Sequence, residues 1–200
     1  MAMRSPSLAD RPAVVAHRGA SRHAPENTMA AFRAAVGAGA DGFELDVHLS
    51  ADGVPVVIHN ARVDDTTDGT GKVNELTLAQ LKALDAGGHA GPAFSGERIP
   101  TLEEVFDAFG NCRTAAGHRL WINVEIKPQP RHVCGLELAV AKLIRRFGLE
   151  TTVWVSSFKP YSLALMRHLA PEIGCGLLYS PMSLAGLLLV PITPFESFHP

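Results

Sequence analysis

Short apolar runs that end at polar clusters recur along the chain. Residues 13–16, Ala-Val-Val-Ala, are continuously apolar and stop at His17-Arg18, the pattern of a strand buried on both faces in a parallel sheet. Pro25-Glu26-Asn27-Thr28 then precedes an alanine-rich stretch over 29–38 with Phe32 and Val36 four apart, which predicts a helix with Asn27 or Thr28 as its N-cap. Residues 42–49 alternate strictly, with Phe43, Leu45, Val47 and Leu49 set against Glu44, Asp46 and His48. A strand there puts the three polar side chains on one face, its two carboxylates about 7 Å apart. Asp52-Gly53 turns the chain into a second predicted strand over 54–58, which ends at His59-Asn60.

Residues 61–74, rich in Asp, Thr and Gly, and the Gly-rich residues 86–99 read as irregular loops on either side of a helix over 77–84. Thr101 is an N-cap candidate for a helix carrying Val105, Phe106 and Phe109. Residues 121–126 alternate again, with Trp121, Asn123 and Glu125 on one face and Lys127 following in phase. Beyond them the pattern predicts a helix over 132–147, a strand over 152–156, a helix over 160–169 and a strand over 176–179. Strands alternating with helices imply a parallel α/β sheet. Polar residues repeated at strand C-terminal ends are where a (β/α) barrel keeps its active site.

Composition narrows the function classes. At 46% hydrophobic and 19% charged, 200 residues can bury one substantial core, so a single domain over 1–200 is expected. A formal net charge of -2 gives no electrostatic reason for a nucleic-acid partner. Cys112, Cys134 and Cys175 are widely spaced and odd in number, and read as buried small hydrophobes rather than a disulfide or zinc framework. The first eighteen residues carry Arg4, Asp10, Arg11 and Arg18 without an apolar segment, and the apolar run over 184–192 is shorter than the about 20 residues a span requires. The expectation is a soluble cytoplasmic protein without stable membrane insertion.

His17 and His59, both at strand ends, make an acid/base couple around a metal when combined with the nearby carboxylates. Glu44, Asp46 and Glu125 form an oxygen-only set suited to Mg²⁺ or Ca²⁺, and three such charges repel one another without a cation. A competing reading pairs them with Arg18 or Lys127 in a buried ion-pair network. Both hold together, because arginine and lysine are also the side chains that clamp phosphate oxygens. Metal, two proton-transfer groups and two cations at one barrel mouth describe a phosphoryl-transfer site.

His17-Arg18-Gly19-Ala20-Ser21 followed by Ala24-Pro25-Glu26-Asn27-Thr28 resembles the HRG and PENT signature of the glycerophosphodiester phosphodiesterase family, bacterial cytoplasmic type. Residues 43–53 through Val57-Ile58-His59 resemble its second signature, and Thr66-Thr67-Asp68-Gly69-Thr70-Gly71 its following loop. Ile99-Pro100-Thr101-Leu102-Glu103-Glu104 and Val124-Glu125-Ile126-Lys127 continue in order, so the resemblance covers roughly residues 13 to 180. It implies a (β/α)8 TIM-type barrel and release of glycerol 3-phosphate from small-molecule glycerophosphodiesters. It makes His17 and His59 the general acid and base, Arg18 and Lys127 the phosphate binders, and Glu44, Asp46 and Glu125 the ligands of one Mg²⁺ or Ca²⁺. Glu26 and Asn27 lie near the site in the same resemblance, whereas the local pattern makes Asn27 a helix cap.

The chain departs from the family pattern in three ways. Asn60 stands where the family usually has aspartate after the second histidine, and Asp65 where an arginine is common. The chain also stops at Ser197-Phe198-His199-Pro200, which resembles the sixth strand, whereas an eight-stranded barrel typically needs about 250 residues. Six strands leave open edges that favour self-association. Two alternatives therefore stand beside the enzyme: an inactive barrel fragment or non-catalytic interaction protein, and a phosphodiesterase directed at lysophospholipids.

Overall fold

Alternating short strands and amphipathic helices build one wall of a barrel. The computed structural model describes residues 7–8, 11–129, 135–179 and 197–199. In chain order the elements are β1 (Ser7–Leu8), β2 (Arg11–Pro12), β3 (Val15–Ala16), α1 (Met29–Gly37), β4 (Gly42–Leu49), β5 (Pro55–Val57), α2 (Leu78–Ala83), α3 (Leu102–Phe109), β6 (Trp121–Ile126), α4 (Leu136–Phe147), β7 (Val153–Ser157), α5 (Pro160–Leu169), β8 (Gly174–Leu178) and β9 (Ser197–His199). β1 and β2 form a small antiparallel pair of their own. The main sheet runs β3-β4-β6-β7-β8-β9 with every neighbour parallel, and β5 returns antiparallel beside β4. Parallel pairing brings the strand C-terminal ends to a common rim, and this is the α/β barrel-type architecture the sequence pattern predicts.

Outside the sheet the helices bury their apolar stripes. Phe32 of α1 stacks on Phe43 of β4 at 4.4 Å between ring centroids, and Phe109 of α3 meets Phe43 edge-on at 5.4 Å. Such pairs contribute about 0.5–1.5 kcal/mol each beyond their buried area. The predicted helix starts are present: Thr77 and Thr101 each form a reciprocal capping box, with Gln80 and Glu104. At α1 the cap is Thr28, whose hydroxyl accepts from the Ala31 N–H at 3.2 Å, and Asn27 is left free for another task. Among the described residues no helix is long and apolar enough to cross a membrane.

Three sequence expectations change. The strand predicted over 13–16 is not buried on both faces: β3 pairs with β4 alone among the described residues, so Val14 is 58% and Val15 41% exposed. An apolar run reports a preference for burial, not the presence of a partner. The Gly-rich segments flanking α2 are irregular as expected, yet they cover a second small core of Val56, Ile58, Val63, Val73, Leu81, Ala86 and Ile99. Of the cysteines, Cys175 is buried, its thiol donating to the Ile173 carbonyl at 3.6 Å, and Cys112 is half-buried. Cys134, the start of the helix predicted over 132–147 and the apolar run over 184–192 lie outside the described residues.

Candidate active site

The inward face of the barrel wall is layered by strand register. Glu44 sits level with Asn123 and Trp154, and one layer nearer the rim Asp46 sits level with Glu125 and Ser156. The strict alternation of β4 and β6 therefore delivers three carboxylates to one place. One oxygen from each of Glu44, Asp46 and Glu125 lies within 4.8 Å of the others, and all three side chains are buried. Lys127, just past the end of β6, places its ammonium 2.8 Å from Asp46 Oδ1 and 2.7 Å from Glu125 Oε1. The carboxylate cluster and the ion-pair network weighed as competing readings are the same object.

The loop between β3 and α1 closes over this cluster. Gly19 has φ of +77° and lies so close to Ala31 that a Cβ there would meet its backbone carbon at 2.7 Å, so only glycine fits. Arg18 and Asn27 also hold positive φ, 56° and 57°, a conformation that side chains rarely adopt. In return, the Arg18 N–H donates to Glu44 Oε2 at 2.9 Å, and its Nη1 donates to both carboxylate oxygens of Glu26 at 3.1 and 3.0 Å. Arg18 Nε also lies 3.5 Å from Asp46 Oδ2. Asn27 Nδ2 donates to Asp46 Oδ2 at 2.7 Å, and its Oδ1 accepts from the Asp46 N–H at 3.3 Å. Asn27, a helix-cap candidate by sequence, instead grips Asp46 by both ends.

Electrostatics separate the three carboxylates. Burial, then the charge of Asp46, pushes Glu44 up to about 8. Burial raises Glu125 too, against the opposing pull of Lys127. Burial also acts upward on Asp46, but the charge and hydrogen bond of Lys127 and the amide of Asn27 outweigh it and hold Asp46 below the ordinary carboxylate range. Glu44 Oε1 is buried without a hydrogen-bond partner. An oxygen-only trio with an orphaned, disfavoured charge fits a hard divalent cation.

A stability consequence follows from Glu44. Its folded pKa lies above its ordinary value of 4.5, so its contribution is fully present below 4.5 and is lost as pH rises through about 8. The metal-free chain is expected to melt at progressively lower temperature across that window, with added Mg²⁺ or Ca²⁺ restoring the loss. Thermal melts at several pH values with and without cation check this, and a flat, cation-insensitive profile contradicts it.

The two histidines flank the cluster. His17 Nε2 lies 3.8 Å from Glu44 Oε2. Although 68% of its side chain is exposed, burial of its inner part, then Arg18, lowers its pKa. His59 lies just past β5, its Nδ1–H donating to Asn60 Oδ1 at 2.7 Å. His48, which shares the face of Glu44 and Asp46, donates from Nε2 to the His59 carbonyl at 3.1 Å and accepts from Gln129 Nε2 at 3.3 Å. Burial lowers the pKa of His48. A cavity of about 490 Å³ opens beside these groups, lined by Arg18, Glu26, His59, Asn60, Thr66 and His89 among others.

All seven residues singled out from the sequence thus meet at one rim. Glu26 and Asn27 join them through ion pairing and hydrogen bonding. His48, Gln129 and His89 carried no separate signal, although the alternation of 42–49 had placed His48 on the correct face.

Comparison with known proteins gives one consistent result. The model of the glycerophosphoryl diester phosphodiesterase family matches residues 17–185. A glycerophosphodiester phosphodiesterase of Caldanaerobacter subterraneus subsp. tengcongensis is 47% identical over 166 residues, covering 83% of this chain and 66% of its own. A crystal structure of a glycerophosphodiester phosphodiesterase from Agrobacterium tumefaciens superposes with a TM-score of 0.72 at 36% identity, covering 83% of this chain and 66% of that one. A phosphodiesterase from Oleispira antarctica, solved with its product sn-glycerol-3-phosphate, superposes with a TM-score of 0.75 at 35% identity, covering 90% and 71%. The chain spans just under two thirds of the length of the first two.

Proposed function

Because the chain belongs to the glycerophosphoryl diester phosphodiesterase family, we propose that it hydrolyses glycerophosphodiesters to glycerol 3-phosphate and an alcohol, using one divalent cation and a pair of histidines. The observation that carries this reading is the convergence of Glu44, Asp46 and Glu125 within 4.8 Å of one another, beside two cationic side chains and two histidines. Mg²⁺ or Ca²⁺ held by the three carboxylates supplies positive charge against the phosphoryl oxygens when bound.

The chain's own residues do the rest. Arg18, bonded to Glu26 and lining the cavity, presents a pre-oriented guanidinium to a phosphate oxygen. Lys127 balances Asp46 and Glu125 and adds a second cation for the same charge. One neutral imidazole takes the proton of the adjacent glycerol hydroxyl, or of water, as its oxygen attacks phosphorus. The other histidine, protonated, gives a proton to the departing alkoxide. Substrate binding outside a membrane, in the cytoplasm, belongs to the same proposal.

The direct test is incubation of the purified chain with glycerophosphocholine in Mg²⁺, in Ca²⁺ and in EDTA, with glycerol 3-phosphate measured enzymatically. Release in cation that EDTA suppresses is the expected outcome. Folded protein that releases none, or release indifferent to EDTA, defeats the proposal in its enzymatic or its metal-dependent part respectively.

A further inference from the structure

We infer that Asn60 and Asp65 are paired positioning residues that fix which ring nitrogen of His59 carries the hydrogen, leaving Nε2 as the lone-pair nitrogen. The inference rests on the proposed role of His59 in proton transfer. It deepens that role with two residues at which this chain departs from its family's usual pattern.

The argument starts from donors and acceptors. His59 Nδ1 and Asn60 Oδ1 are 2.7 Å apart, and Asn60 Nδ2 lies 2.6 Å from Asp65 Oδ2. An amide can be turned end for end with little change in shape, so its orientation is decided by its neighbours. An aspartate carboxylate only accepts, so it must face the NH₂ end of Asn60. That leaves the carbonyl end for His59, which can meet it only by donating from Nδ1. In the neutral ring the hydrogen is then on Nδ1 and Nε2 is free to take a proton. Asp65 acts on His59 through an amide, without touching it.

Asp65 is itself exposed, but the loop is pinned at its neighbours. Val63 N–H donates to the Gly71 carbonyl at 3.0 Å, and Asp64 accepts from Gly71 N–H at 3.0 Å and from Arg62 at 2.9 Å. Arg62 is therefore engaged by Asp64, and the Asp65 carboxylate is left to Asn60. His48, donating to the His59 carbonyl, fixes the backbone of the same residue from the other side.

The pair is also consistent as a swap. With arginine at 65, a donor-only group would draw the carbonyl end of Asn60 outward and turn its NH₂ toward His59, forcing the hydrogen onto Nε2. With aspartate at 60 beside Asp65, two carboxylates would face each other. Arginine at 65 alone removes the acceptor for Nδ1–H, and aspartate at 60 beside that arginine restores it.

The experiment reads the hydrogen directly. Long-range ¹H–¹⁵N correlation spectra of the ¹⁵N-histidine-labelled chain, recorded well above the histidine titration range, report the tautomer, with His59 assigned by its loss in H59Q. The wild type is expected as Nδ1–H, D65R as Nε2–H, N60D/D65R as Nδ1–H again and D65A as a mixture. Wild type found as Nε2–H, or unchanged spectra in D65R and D65A, overturns the inference; if D65R does not fold, D65A decides. On the same proteins kcat for glycerophosphocholine should fall about 10- to 100-fold in D65R with KM little changed, and recover in N60D/D65R. The expected tautomer shifts in a wild type without turnover would count against the proposed function and leave the positioning intact. Turnover with immobile tautomers would do the reverse.

Discussion

Asp46→Asn is expected to lower turnover of glycerophosphocholine about a thousandfold and to abolish thermal stabilisation by added Mg²⁺ or Ca²⁺. The substitution keeps shape and removes charge at a fully buried side chain that touches Lys127 at 2.8 Å and Asn27 at 2.7 Å. A neutral amide is a poor ligand for a hard cation, and it leaves Lys127 and Arg18 with less negative charge to balance. The lost stabilisation of phosphoryl charge amounts to several kcal/mol, and about 4 kcal/mol corresponds to the stated rate loss. Asp46→Ala would be a poorer test, because breaking a buried pair by truncation destabilises by about 3–5 kcal/mol in its own right. Rates from the coupled glycerol 3-phosphate assay and melting curves with and without cation check both parts. Near-native turnover in D46N, with the cation effect intact, would remove Asp46 from the metal set.

His59→Ala and His17→Ala are each expected to reduce kcat by about 10²- to 10⁴-fold while the protein melts as a single cooperative unit. Neither ring belongs to the core: His17 is exposed and His59 half-buried, so removing either empties no packed space. The double variant should lose far less than the product of the two, because one proton-transfer step without its partner is already crippled. Single-turnover rates and far-ultraviolet circular dichroism on the three variants settle it. A fully active H59A would return the proton transfer to His17 or to water alone.

Local periodicity made most of this fold legible. The alternation over 42–49 and 121–126 reports which side chains share a face, and parallel pairing of those strands in register then brings Asp46 level with Glu125. Neither step needs distant information beyond the expectation of a parallel sheet. Thr101 announced its helix because a cap is a four-residue signal, and leucine spacing announced the helix that Thr77 caps. Other features depended on contacts the pattern cannot carry. Asn27 grips a residue nineteen positions away, and its turned backbone is visible only in three dimensions. At Asp65 the sequence shows only a departure from the family pattern, since the side chain's contact with the Asn60 amide is visible only in three dimensions. The exposed face of β3 illustrates the converse, an apolar run whose sequence is that of a covered strand and whose position in the sheet is an edge.

The left-handed corner at Arg18 has a consequence for the protein's engineering. A residue other than glycine held at φ 56° stores about 1 kcal/mol of backbone strain, and glycine in its place would release it. The side chain tolerated there is the guanidinium that faces the cavity beside His59. Glycine there would relax the corner and at the same time strip Glu26 and buried Asp46 of their guanidinium partner, so the small backbone gain is set against a larger electrostatic loss. The strained corner is thus held shut by the charges it brings together, and stability and the cavity-facing cation are served by the same side chain.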